Sequence, residues 1–213
     1  LMDVSGHYEN EDDPRKKWEY GIYDMYFLSL ALSADGEYIV AGTSYESGDM
    51  DNDNIFLFNR DSSTKLWSYD TDSDVNSVAI SANGDYIAAG ADNGKVLLFS
   101  KNNNTLLWSK DMGDAVYSSA ITASGEYIVA GNEDGLVYLF DKDSNTPVWT
   151  YNTGEDIKSV DISENGKIVS VTNIDDKVYL FENNQSFSLT VNPYSPINNE
   201  LLYLEDTLRW YWS

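Results

Sequence analysis

Between Asp74 and Asp111 the chain alternates short apolar runs with polar turns: "DVNSVAIS" (74–81), "DYIAAG" (85–90), "KVLLFS" (95–100) and "TLLWSKD" (105–111). Each run is six to eight residues long and rich in Val, Ile, Leu or aromatic residues. Runs of that length, bounded by Asn, Asp and Gly, predict β-strands rather than helices. Asn83-Gly84 between the first two is a strong hairpin signal, and "ADNG" (91–94) makes the next turn. One period is therefore expected to hold four short antiparallel strands.

The same phrase recurs along the chain. "ADGEYIVAG" begins at Ala34, "ANGDYIAAG" at Ala82, "ASGEYIVAG" at Ala123, and a worn copy, "ENGKIVSVT", at Glu164. Phe58, Phe99, Phe140 and Phe181 stand 41 residues apart, as do Trp67, Trp108 and Trp149, and Gly84, Gly125 and Gly166. A fixed period near 40–45 residues with strand-like content is the signature of propeller blades. The first period is longer: Trp18 and Trp67 are 49 apart. Most of the excess lies between Gly42 and Phe58, as expected of a loop inserted in one turn of a repeat scaffold.

Residue size is periodic too. Ser29, Ser77, Ser118 and Ser159 stand seven places before the turn glycine, and Ala31, Ala79, Ala120 and then Asp161 five places before it. Small residues there suit the crowded end where strands converge. Tyr38, Tyr86 and Tyr127 follow the glycine by two and are large enough to fill the space between neighbouring sheets. A small four-stranded sheet cannot bury both faces alone, but stacking on copies of itself buries them. The expected fold is all-β: a β-propeller of four-stranded antiparallel blades, about 41 residues per repeat, with four repeats visible.

"SADGEYIVAG" and "SANGDYIAAG" resemble the first two strands of WD40-type repeats. "GLVYLFDKDSNTPVWTYNTG" (135–154) resembles the quinoprotein (PQQ-like) repeat, where a strand ends in Asp, turns, and restarts at a docking Trp followed by Thr-Gly. The resemblance runs from about Trp18 to Phe181 and implies shape. The Gly-His and Trp-Asp pairs of WD40 repeats are missing, so their hydrogen-bonded tetrad is not expected. Where the resemblance calls for a glycine four places before the docking Trp stand Ser63, Asn104 and Asn145, and asparagine tolerates the left-handed backbone such a turn needs. The fourth repeat departs most, with Asp161 for Ala, Ile168 for Tyr and Thr172 for Gly. It reads as a terminal cap, the other reading being a ligand site.

The repeats divide as 18–66, 67–107, 108–148 and 149–187, between a polar segment 1–17 and a C-terminal segment 188–213. Apolar residues at 201, 204, 208 and 212 permit a short helix there, and "ELLYL-EDT-LRWYW" permits a hairpin. The number of blades stays open. The Trp18 strand can complete the last triple, the chain can belong to a larger ring, or two copies can share one.

Composition narrows the partners. Thirteen Lys and Arg face 36 Asp and Glu, a net charge of −23, so nucleic acid and anionic lipid are poor partners. There is no cysteine, which excludes disulfides and thiolate metal sites. No apolar run reaches the length of a membrane helix and no secretory leader is legible. Sequons at Asn103 and Asn184 lean slightly toward an extracellular or cell-surface setting over the cytoplasm.

Little catalytic chemistry is legible. His7, the one histidine, lies outside the repeats, so no hydrolytic triad is expected within them. "GADNGKV" (90–96) lacks phosphate-loop spacing. Within the insertion, Asp49, Asp51 and Asp53 alternate as calcium-loop ligands do. However, Asn54 replaces the glycine of that pattern and Arg60 stands where its bidentate Glu belongs. Calcium is the one cofactor left open, and a solvated hairpin extension is the plainer reading. Lys158 and Asp161, on the first strand of the fourth repeat, are the candidates for an axial pocket. The resemblance to quinone-dependent dehydrogenases carries over none of their site residues. The expected function is a non-catalytic propeller that binds a protein partner or a surface polymer, with a homo-oligomer or association with further propeller blades left open. The alternatives are a calcium- or carbohydrate-linked surface module and an axial-pocket enzyme.

Overall fold

The structure, a computed structural model, describes residues 14–22, 25–44 and 54–183. Every element in these residues is a strand. The first sheet holds β1 (Phe27–Leu32), β2 (Tyr38–Thr43), β3 (Ile55–Asn59) and β4 (Ser62–Tyr69). The second holds β5 (Val75–Ile80), β6 (Tyr86–Ala91), β7 (Lys95–Ser100) and β8 (Leu106–Asp111). The third holds β9 (Val116–Ile121), β10 (Tyr127–Asn132), β11 (Leu136–Asp141) and β12 (Pro147–Asn152). The fourth has β13 (Ile157–Ile162), β14 (Ile168–Asn173) and β15 (Val178–Glu182), with no fourth strand among the described residues. Within each sheet the strands pair antiparallel in chain order. Among the described residues no helix is long and apolar enough to cross a membrane.

Local chemistry sets the hairpins. Ser33 Oγ donates to Asp35 Oδ1 at 2.6 Å and accepts the Tyr38 N–H at 3.0 Å. Ser81 with Asn83, and Ser163 with Asn165, repeat the arrangement, closing onto the Tyr86 and Ile168 N–H groups. The glycine that follows, Gly84 for one, takes φ +75°, so the turn needs a residue without Cβ. Elsewhere aspartate replaces it: Asp72 and Asp176 take φ 54° and 57° where later or earlier repeats have glycine.

The sheets stack face to face in chain order through one joint used three times. Trp67 lies on Phe99 (5.5 Å between ring centres), Trp108 on Phe140 (5.3 Å) and Trp149 on Phe181 (5.4 Å). The indole N–H groups of Trp67 and Trp108 donate to the carbonyls of Lys101 and Lys142 at 2.9 and 2.8 Å. Tyr38, Tyr86 and Tyr127 close over the turn glycines of the next sheet, Gly84, Gly125 and Gly166. Where the first strands lie side by side, the Ser29, Ser77 and Ser118 hydroxyls accept the N–H groups of Val78, Ser119 and Val160 at 2.9–3.0 Å. Buried aliphatics fill each joint: Val40, Leu57 and Ile87 in the first, Val96, Leu98 and Ile128 in the second, and Val137, Leu139 and Val169 in the third.

One expectation and one of the open alternatives are not met. Asn104 and Asn145 do not take the left-handed backbone, since Asp72 and Asp176 are the non-glycines with positive φ among the described residues. Their side-chain amides instead donate to the Ser68 and Ser109 carbonyls of the preceding sheet, fixing the turn by a hydrogen bond rather than by an unusual φ. The Trp18 segment forms no strand and does not complete the last triple. Trp18 lies on Phe58 (5.5 Å between ring centres), and its N–H donates to the Arg60 carbonyl at 2.7 Å. It thus docks on the first sheet as Trp67 docks on the second.

Candidate binding surface

Antiparallel order puts the β6–β7, β10–β11 and β14–β15 turns at the same end of the sheets as the connections from one sheet to the next. Backbone hydrogen bonds tie the two sets together: Asp92 N–H to Asp74 O (2.8 Å), Met112 to Gly94 (2.8 Å), Glu133 to Ala115 (2.9 Å) and Ile174 to Asp156 (3.0 Å). The turns are "ADNG" (91–94), "NEDG" (132–135) and "IDDK" (174–177). The connections are "DTDSD" (70–74), "DMGD" (111–114) and "GED" (154–156), so this end gathers twelve carboxylates. The lysines there include Lys158 and Lys177, which pair with Asp156 (3.7 Å) and Asp175 (2.9 Å). That contact with Asp175 holds the Lys177 ammonium above its ordinary pKa.

Charges at the opposite end are balanced more evenly. Lys101 meets Asp85 at 2.7 Å, Lys142 meets Asp143 at 2.6 Å, and Arg60 meets Glu37 at 3.5 Å. Lys101 also lies 5.0 Å over the Tyr38 ring. The hydrogen bond to Asp85 raises the Lys101 pKa, and that to Asp143 raises the pKa of Lys142.

On the acid-rich end Lys158 lies 4.9 Å over the ring of Tyr117, a residue that the repeat alone does not single out. Tyr117 and Lys158 share the position held by Asn76 in the second sheet. Burial, followed by the charge of Glu133, pushes the pKa of the Tyr117 phenol upward. Asp161 sits apart on the same strand, its Oδ1 accepting the adjacent Ile162 N–H at 2.9 Å. Among the described residues no three His, Cys, Asp or Glu side chains converge as a metal site. Asp49, Asp51, Asp53, His7 and the 188–213 segment lie outside the described residues.

Repeated four-stranded sheets stacked through a docking Trp define a PQQ-like β-propeller scaffold. A family model for the outer membrane protein assembly factor BamB, built on this repeat, matches residues 30–192, and the chain belongs to that family. No curated protein matches it in sequence. Among solved structures, the computationally designed Ika4 protein superposes with a TM-score of 0.67 at 16% identity, over 79% of this chain and 98% of that one. At that identity the likeness concerns the fold alone.

Proposed function

We propose that the chain is a non-catalytic propeller scaffold that docks a protein partner through its acid-rich end. The observation that carries this reading is where the recurring polar atoms go. The repeated Ser hydroxyls, Trp indoles and turn Asn side chains bond to neighbouring backbone and hold sheets together. The turns of the acid-rich end differ between repeats, as "ADNG", "NEDG" and "IDDK" show, and loops held by a rigid scaffold are where binding residues concentrate. Membership in a family described by an assembly factor supports a protein partner over a small substrate. The concentration of carboxylates favours a partner presenting lysine and arginine.

Binding should therefore be lost by charge reversal at this end and spared by reversal at the other. The test captures proteins on the full chain, on a variant with Asp92, Asp134 and Glu155 each changed to Lys, and on one with Asp85 and Asp143 changed to Lys. Partners retained by the second variant and lost by the first support the proposal. Equal loss from both, or from neither, refutes it.

A further inference from the structure

Among the described residues, the joint used three times inside the chain is left incomplete at each end: on the first sheet only its tryptophan contact is made, by Trp18 on Phe58, and the fourth sheet bears none of it on its outer face. In the first sheet Leu30 and Leu32 occupy the register positions of Val78 and Ile80. Val78 and its equivalent Val160 are 6% and 5% exposed beneath the preceding sheet, whereas Leu30 is 66% exposed. With Trp18, Tyr20, Phe27 and Phe58 it lines an open apolar cavity of about 410 Å³. In the fourth sheet Leu180 occupies the position of Leu57, Leu98 and Leu139. Those three are fully buried, and Leu180 is 70% exposed. The same contrast separates Val178, 76% exposed, from the fully buried Ile55, Val96 and Val137.

The finer parts of the joint are likewise split between the two ends. Gly84, Gly125 and Gly166 are each covered by a tyrosine of the preceding sheet, but nothing stands within 4 Å of where a Cβ on Gly36 would be. Ile168 holds the corresponding position on the fourth sheet. Ser159 continues the serine column whose other members accept an N–H from the next sheet, and Leu30 holds the matching donor position on β1.

We propose that the open face of the first sheet is the docking site for the fourth sheet of a second copy of this chain, with both ends joined so that two copies form one eight-sheet ring. The argument for a second copy is complementarity. One molecule carries both halves of a head-to-tail joint, and a contact between unlike faces either closes a ring or extends as a filament. The chain's own fourth sheet does not cover its first, since Leu30 and Leu180 are both exposed. Eight blades fall within the range propellers adopt, and four are its lower limit.

This joint is weaker than an internal one. Gly42, Gly90 and Gly131 let Val75, Val116 and Ile157 approach so closely that a Cβ there would stand 2.7, 2.5 and 2.3 Å away. Thr172 takes that place in the fourth sheet and Asp161 replaces the alanine, so the sheets are held apart at that point. The net charge of −23 on each copy also opposes association, and salt screens it.

The test is light-scattering mass across a concentration series of the full chain, at about 0.15 M and about 0.5 M salt. The expected result is twice the 23.9 kDa of the chain, favoured by salt. Leu30→Glu and Leu180→Glu, both at exposed positions, should each weaken pairing at least about 100-fold by burying a charge. Mixing the two variants should restore a dimer, because one joint of the mixed pair is unaltered. Thr172→Gly with Asp161→Ala should tighten pairing. A monomer at every concentration, a filament of growing mass, or a dimer insensitive to Leu180→Glu would each overturn the proposal.

Discussion

Gly125→Ala should cost far more than Gly36→Ala, although the two glycines occupy the same turn of successive repeats. Both have positive φ, +77° and +66°, so alanine pays a backbone penalty of about 1–2 kcal/mol at either. The surroundings differ. A Cβ on Gly125 would stand 2.3 Å from Cδ2 of Tyr86 and 3.0 Å from its Cγ, whereas one on Gly36 meets nothing within 4 Å. The ring of Tyr86 is wedged between the second and third sheets, beside the Val116, Ile128 and Phe140 cluster, and cannot swing clear without opening the joint. Overpacking of this kind costs about 1–3 kcal/mol more. Gly36→Ala should thus lose about 1–2 kcal/mol and Gly125→Ala about 2–5 kcal/mol. Urea unfolding followed by tryptophan fluorescence, on samples dilute enough that copies do not pair, measures both. Equal losses would show that the tyrosine is not clamped between sheets, and the account of the joint would be wrong.

Other expectations are simpler. Ser118→Ala strands the Val160 N–H that the hydroxyl accepts at 3.0 Å and should cost about 1–3 kcal/mol; in dilute monomer Ser159→Ala should cost under about 0.5 kcal/mol in the same urea experiment. Trp108→Phe keeps a ring on Phe140 but loses the 2.8 Å bond to the Lys142 carbonyl, so about 1 kcal/mol should disappear from the unfolding free energy. The Asp35 carboxyl is held below its ordinary pKa of 3.8 by the Ser33 hydroxyl and then by the Glu37 N–H. Its folded pKa is depressed, so its stabilisation is present above that ordinary value and is lost as pH falls through the folded one. Thermal unfolding of wild type and Asp35→Asn should differ at neutral pH, and the difference should shrink on acidification below pH 3.8.

The framework was largely legible. Asn83-Gly84 announced a hairpin, the 41-residue spacing of Phe and Trp announced stacked sheets, and the periodic Tyr found its place over the next glycine. Contacts between residues far apart in the chain are not legible in its spacing. Tyr117 looks unremarkable beside Asn76, and its position under Lys158 follows only when neighbouring first strands are laid side by side. Asn104 was expected to bend its own backbone, and instead reaches 36 residues back to a carbonyl of the previous sheet.

By itself the sequence determined the strands, their order and the identity of each joint, because strand alternation and turn geometry are local and a repeated pattern must pack in a repeated way. Only the tertiary structure decided which faces stay open and which side chains of one sheet reach the next, as Lys158 does over Tyr117. Both depend on how one sheet is set against its neighbour, a matter of three-dimensional stacking that no spacing along the chain records.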